Sequence, residues 1–229
     1  VSRYGLVSRY EYDNAFYGLA GEIDAAKLDS VLAEMANDPD VEWVQPDIFI
    51  DVAPSFHTQN ETETQVLPWG VERAGGTESW AESGNGNGTV DGVEVYVLDT
   101  GVQDKDMNVV ERLSFSDAPG IEDVQGHGSH VAATIGAIDN NDWVVGMAPG
   151  VRIHSIKVMN DHGATDESHV IAGLEYVIGQ KIQYPNTPMV INLSLGADIG
   201  TVEYGALDVA VNAAIEAGIT VVVAAGNDG

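Results

Sequence analysis

From about residue 91 onward, short apolar runs alternate with longer stretches of helical periodicity. Residues 93–98, 151–158, 189–195 and 219–225 read as strands buried on both faces. Helical patterns over about 127–137, 166–182 and 203–217 separate them; in the second, Val170, Ile171, Leu174, Val177 and Ile178 recur at helical spacing. Asp166 and Glu167 stand at its start, where the helix dipole favours acid. The alternation predicts an α/β fold with a mostly parallel sheet covered on both faces, and sites at the carboxyl ends of its strands. The N-terminal part has another rhythm. Residues 4–12 and 15–23 alternate as strands do, and Asp24 then caps a helix carrying Leu28, Val31, Leu32 and Met35 on one face. Asn37-Asp38-Pro39 stops that helix, and residues 41–44 read as one more short strand. Residues 1–50 thus form a small α+β unit, and the polar, aperiodic residues 51–66 read as a linker.

Composition narrows the partners. With 36 Asp and Glu against 9 Lys and Arg, the net charge is -27, so nucleic acid and anionic lipid are poor partners. Such a surface either keeps an enzyme soluble or marks adaptation to salt. Hydrophobic residues make up 44% of the chain, and no apolar run approaches the roughly 20 residues of a membrane span. Cysteine is absent, which excludes disulfides, thiolate metal sites and a cysteine nucleophile. No basic-then-apolar leader opens the chain at Val1-Ser2-Arg3-Tyr4.

Two segments carry chemistry. In Val97-Leu98-Asp99-Thr100-Gly101 a buried strand stops at a carboxylate; in Gly126-His127-Gly128-Ser129-His130 a glycine-loosened turn opens a helix at an imidazole. A strand-end Asp is commonly a turn residue, and a lone His is commonly structural. Together they suit a pair in which the carboxylate orients a general base.

These segments, with Ser194-Leu195-Gly196 and Ala224-Ala225-Gly226-Asn227, resemble the subtilisin-like serine peptidases (subtilases), including their proteinase K-like branch. The resemblance implies a three-layer subtilisin-like fold over residues 67–229. It also implies a partial inhibitory propeptide of ferredoxin-like α+β type over 1–50 and a processing site within 51–66, near Glu63–Thr64. The run Asp38-Pro39 through Pro46-Asp47 looks like the end of such a propeptide, and Gln65-Val66-Leu67-Pro68-Trp69-Gly70-Val71 like the start of the mature enzyme. By resemblance, Asp99 and His127 are two members of a catalytic triad, and Asn227 donates to the oxyanion. Ser194, Leu195 and Gly196, with Gly163, Ala164, Ala225 and Gly226, bind a peptide substrate. Asp228 falls near the rim of the first specificity pocket.

The triad's serine is not evident. The chain contains no Gly-x-Ser triplet, and Ser129 stands at a helix start without an elbow motif. The chain therefore reads as an internal fragment of a secreted, extracellular precursor, inactive by itself, whose nucleophile lies beyond residue 229. His130, one turn beyond the base, reads as a packed structural histidine. Residues 138–144 resemble a family calcium loop, so Gln65, Asn108, Ile138, Asn140, Asp142 and Val144 are candidate ligands for a structural calcium ion.

The expected activity is a broad-specificity serine endopeptidase acting on polypeptides as a monomer, with the propeptide as intramolecular inhibitor. Two other classes compete: a non-catalytic binding module on the same fold, and a doubly wound nucleotide-binding protein. The second lacks Gly-x-Gly-x-x-Gly after its first strand and places Asp99 where phosphate would sit.

Overall fold

The computed structural model describes residues 3–52, 64–196 and 205–226. Among these residues nine strands and five α-helices follow in chain order: β1 (Val7–Tyr12), β2 (Gly18–Glu22), α1 (Leu28–Met35), β3 (Phe49–Asp51), α2 (Trp69–Arg73), β4 (Glu94–Asp99), β5 (Val109–Ser114), α3 (His127–Gly136), β6 (Arg152–Lys157), β7 (Ala164–Asp166), α4 (Glu167–Gln183), β8 (Met189–Leu193), α5 (Ala206–Glu216) and β9 (Thr220–Val223).

Five strands form one parallel sheet in the order β5-β6-β4-β8-β9. The alternation of side chains along β4 assigns its two faces. Tyr96 and Leu98 pack with Leu174, Val177 and Ile178 of α4 and Ala210 and Ala214 of α5. Val95 and Val97 pack with Ala132 and Ala133 of α3 on the opposite side. The predicted three-layer α/β fold is present, with all four apolar runs as strands. β4 is central and buried; β9 is different, leaving Val222 and Val223 half exposed or more.

Sequence patterning missed β5. Its Glu111 and Arg112 disguise a strand, yet both charges are partnered: Glu111 accepts from Tyr176 at 2.7 Å and meets the His154 imidazole at 2.8 Å, while Arg112 reaches Asp104 at 3.4 Å. The N-terminal segment also departs from expectation. β1 and β2 form an antiparallel pair and Asp24 caps the following turn through Ala26 N–H, but Leu28 and Leu32 stay exposed while Val31 and Met35 are buried. Residues 41–44 form no strand. The strand lies at β3 instead, because an antiparallel partner is available there in β7.

Residues 3–52 are held to the sheet domain by polar contacts at helix starts. Asp47 Oδ1 accepts the Ser168 N–H at the start of α4 (2.9 Å), and Gln45 Oε1 accepts the Ala206 N–H at the start of α5 (3.0 Å). The Glu175 carboxylate accepts three successive backbone N–H groups, of Asp13, Asn14 and Ala15, at 2.6–3.0 Å. Tyr12 completes the seam by donating to the Ser168 carbonyl.

Candidate active site

Asp99 ends β4, the central strand, and is fully buried. His127 opens α3, and its Nδ1 lies 2.8 and 2.9 Å from the two Asp99 carboxylate oxygens. The approach is so close that Gly128 has no room for a side chain: a Cβ there would overlap the Gly101 carbonyl and lie 3.1 Å from Asp99 Cβ. Gly126, at φ 95°, supplies the left-handed turn that aims α3 at the strand end.

A second carboxylate, which sequence reasoning did not single out, fixes this turn. Buried Asp123 accepts the Thr100 hydroxyl (2.8 Å), the Gly126 N–H (2.8 Å), the Ser129 N–H (2.8 Å) and the Ser129 hydroxyl (2.6 Å). Thr100 Oγ1 in turn accepts the Gly128 N–H at 2.9 Å. Asp123 therefore ties the end of β4 to the first turn of α3. The available signal was faint: an Asp three residues before Gly126 in an otherwise polar loop. Ser129 spends its hydroxyl proton on Asp123, which fits its rejection as a nucleophile. His130 is exposed, not packed, because it lies off the face of α3 that meets the sheet.

The electrostatics favour a basic imidazole. The hydrogen bond to Asp99 raises the His127 pKa above its ordinary value; burial opposes this, and the charges of Asp99 and Asp123 reinforce it. An imidazole held by a buried carboxylate in one tautomer, at a strand's carboxyl end, can take a proton from a hydroxyl brought to its other nitrogen.

The expected peptide-binding residues come together along the same sheet edge. β3 runs antiparallel to β7, pairing Asp51 with Ala164, and Asp51 also bridges Gly196 on its other side. Val52 N–H donates to the Gly163 carbonyl at 2.9 Å, and the Val52 side chain fills the space where Gly163 would carry a Cβ. Residues 49–52 of the chain itself thus lie between the two expected clamp segments. Ser194 and Leu195 connect β8 to Gly196, and Ser194 Oγ accepts from Asn192 at 2.9 Å. Ala225 and Gly226 follow β9 beside them and are exposed. Asn227, Asp228 and the expected processing site before Thr64 lie outside the described residues.

The candidate metal loop converges on Gln65. Its Nε2 lies 2.8 Å from the Ile138 carbonyl, 3.3 Å from that of Val144, 3.4 Å from that of Asp142 and 3.4 Å from Asn140 Oδ1. An amide NH2 carries two protons and cannot serve four acceptors. Turned end for end, the same amide would add a fifth oxygen to a set that suits a hard cation. The carboxylate that reaches this loop belongs to Asp106, not to position 108: Asp106 Oδ1 accepts from Asn140 at 2.6 Å, while Asp106 Oδ2 is buried with no hydrogen-bond partner. Asn108 is engaged with the Gly150 carbonyl at 3.0 Å. The difference is one of spacing, since Asp106 stands two residues closer to Asp99 than the expected position.

Residues 90–229 match the sequence profile of the Subtilase family. The extracellular serine proteinase of Thermus sp. (strain Rt41A) is 34% identical over 226 residues, covering 95% of this chain and 48% of that protein. Subtilisin E of Bacillus subtilis (strain 168) is 32% identical, covering 90% of the chain and 49% of its own length. The subtilase-type proteinase psp3 of Schizosaccharomyces pombe is 31% identical across 100% of the chain and 48% of its own length. The chain spans about half the length of these curated relatives.

Proposed function

The chain belongs to the subtilase family, and from that premise we propose that it supplies the acid–base half of a serine endopeptidase. One observation carries the reading: a buried carboxylate at Asp99 within 2.9 Å of the Nδ1 of His127. Asp99 keeps the proton on Nδ1, so Nε2 takes the proton of an attacking serine hydroxyl. The imidazolium, steadied by Asp99, then returns that proton to the leaving amine. The Asn227 side-chain amide, after the last strand, donates to the oxyanion, a contribution of about 2.7–4 kcal/mol in a measured subtilisin.

The substrate lies as an added strand between Gly163–Asp166 and Ser194–Gly196, in the place that β3 holds in this chain. Main-chain pairing binds any sequence, so specificity is broad. Residues 3–52 are then an intramolecular inhibitor, and removing them after cleavage within 51–66 frees the cleft. Calcium bound by Gln65, Asn140, Asp106 and the carbonyls of Ile138, Asp142 and Val144 would brace the loop that follows α3. The protein works outside the cell, consistent with the relative named an extracellular proteinase. Among the described residues no helix is long and apolar enough to cross a membrane.

The test uses the full-length protein, freed of residues 1–66, on casein and on a panel of peptides. Hydrolysis lost in His127→Ala and reduced about 10⁴-fold in Asp99→Asn supports the proposal. Hydrolysis that survives His127→Ala, or peptide binding without hydrolysis, overturns it; the latter indicates a binding module.

A further inference from the structure

A second cluster of ligating side chains lies at the start of α4, apart from the Asp99–His127 pair. His169 is 2% exposed and its Nε2 is buried without a hydrogen-bond partner. That nitrogen lies 3.4 Å from Asp117 Oδ1, and one ring nitrogen of His169 and one oxygen each of Asp117 and Asp166 all fall within 4.8 Å of one another. The three residues border a cavity of about 220 Å³ that Ser116, Asn160 and Phe49 also line.

The other ring nitrogen can orient the imidazole for ligation. Nδ1 lies 3.2 Å from Thr165 Oγ1, whose own proton goes to the Val158 carbonyl at 2.5 Å. Nδ1 also lies 3.4 Å from the Asp166 backbone N–H, a long contact that is given up in the tautomer donating Nδ1–H to the hydroxyl oxygen; in that tautomer the Nε2 lone pair faces Asp117. A hydrogen bond at one imidazole nitrogen that sets the other free is the usual support of a metal-bound histidine. Tyr10 packs edge-on against the ring, with centroids 5.6 Å apart at 74°, and holds its plane.

A cation already stands against this cluster. The Arg9 guanidinium lies 3.2 Å from Asp166 and 3.9 Å from Asp117, and its Nη2 is 3.3 Å from Glu22. We propose that Asp117, Asp166 and His169 form a binding site for a divalent transition metal, best suited to zinc, and that Arg9 competes with the metal for the two carboxylates. One imidazole with two carboxylates is a zinc-type donor set with a fourth position open to water; magnesium and calcium prefer oxygen alone. The inference is independent of the peptidase reading.

Titrating the full 229-residue chain with Zn²⁺ by calorimetry, and with Co²⁺ by visible absorption, tests it. One ion per chain is expected, with binding abolished by His169→Gln, weakened at least tenfold by Asp117→Asn and tightened at least tenfold by Arg9→Gln. Asp117 is largely exposed, so Asp117→Asn remains informative if burial makes His169→Gln unfold. Unchanged affinity in Asp117→Asn, Zn²⁺ retained by folded His169→Gln, or no binding by the Arg9→Gln chain at millimolar Zn²⁺ overturns the proposal.

Discussion

The carbonyl oxygen of Gly101 occupies the space that a Cβ on Gly128 would need, so the strand bearing Asp99 and the helix bearing His127 touch backbone to backbone. Neither side can yield cheaply, because the overlap is with main chain, and on Gly101 a Cβ would likewise stand only 3.1 Å from the backbone of Asp123 and Ile121. Gly128→Ala should therefore cost about 1–3 kcal/mol of stability in urea unfolding, the range for overpacked interiors. It should also loosen the Asp99–His127 contact, visible as a fall in the His127 pKa by NMR. Unchanged stability would mean that α3 slides freely on β4.

The pKa of His127 gives a prediction with a definite sign. Its folded value is raised, chiefly by the hydrogen bond from Nδ1 to Asp99. A raised histidine adds stability that is fully present below its unfolded pKa of about 6.5 and lost as pH rises through the folded value. Asp99→Asn removes the charge and one of the two acceptor oxygens, so the His127 titration, followed by NMR, should move down. The same substitution should shrink the loss of stability seen on raising pH above about 6.5. A titration that stays in place would show that Asp99 does not govern the imidazole.

How much of this was legible in the sequence depended on whether a residue's partner was local. Asp99 could be read because an apolar run stops at it, and His127 because two glycines flank it. Asp123 could not: its role is a cradle of four donors assembled from Thr100, Gly126 and Ser129, and nothing in its immediate neighbours announces that. β5 was hidden because Glu111 and Arg112 look like surface charges until His154, Tyr176 and Asp104 are seen to meet them. The strand expected at 41–44 has suitable residues but no partner edge. The strand at 49–51 has an ordinary sequence and two neighbouring segments, β7 and Gly196. Strand formation there is decided by tertiary pairing, which local propensity does not encode.

The two candidate acidic or amide ligands near the 138–144 loop separate cleanly by mutation. Asp106 has its pKa raised, first by burial, with Asp142 adding to the rise. A bound cation would reverse both effects. Calcium binding measured by calorimetry should weaken at least tenfold in Asp106→Asn and in Gln65→Ala. Asn108→Ala should change it little, since that side chain serves the Gly150 carbonyl. EDTA should lower the melting temperature of the unaltered chain and leave that of Gln65→Ala nearly where it was. A melting temperature indifferent to EDTA would remove calcium from this loop.

Asp47 and Gln45 cap α4 and α5 from outside, and β3 follows directly after them. The cap contacts and the strand pairing should therefore open together. Asp47→Ala leaves the Ser168 N–H without its acceptor, a loss of about 0.5–2 kcal/mol for a helix cap. If residues 48–52 leave the cleft as a unit, their amide hydrogen exchange should speed up by a factor of roughly 2–30, the same energy expressed as an equilibrium constant. Amides of the central strand β4 should keep their protection, because nothing in its sheet pairing depends on Asp47. Acceleration confined to Ser168, with β3 amides unchanged, would show that the strand is held against β7 independently of Asp47.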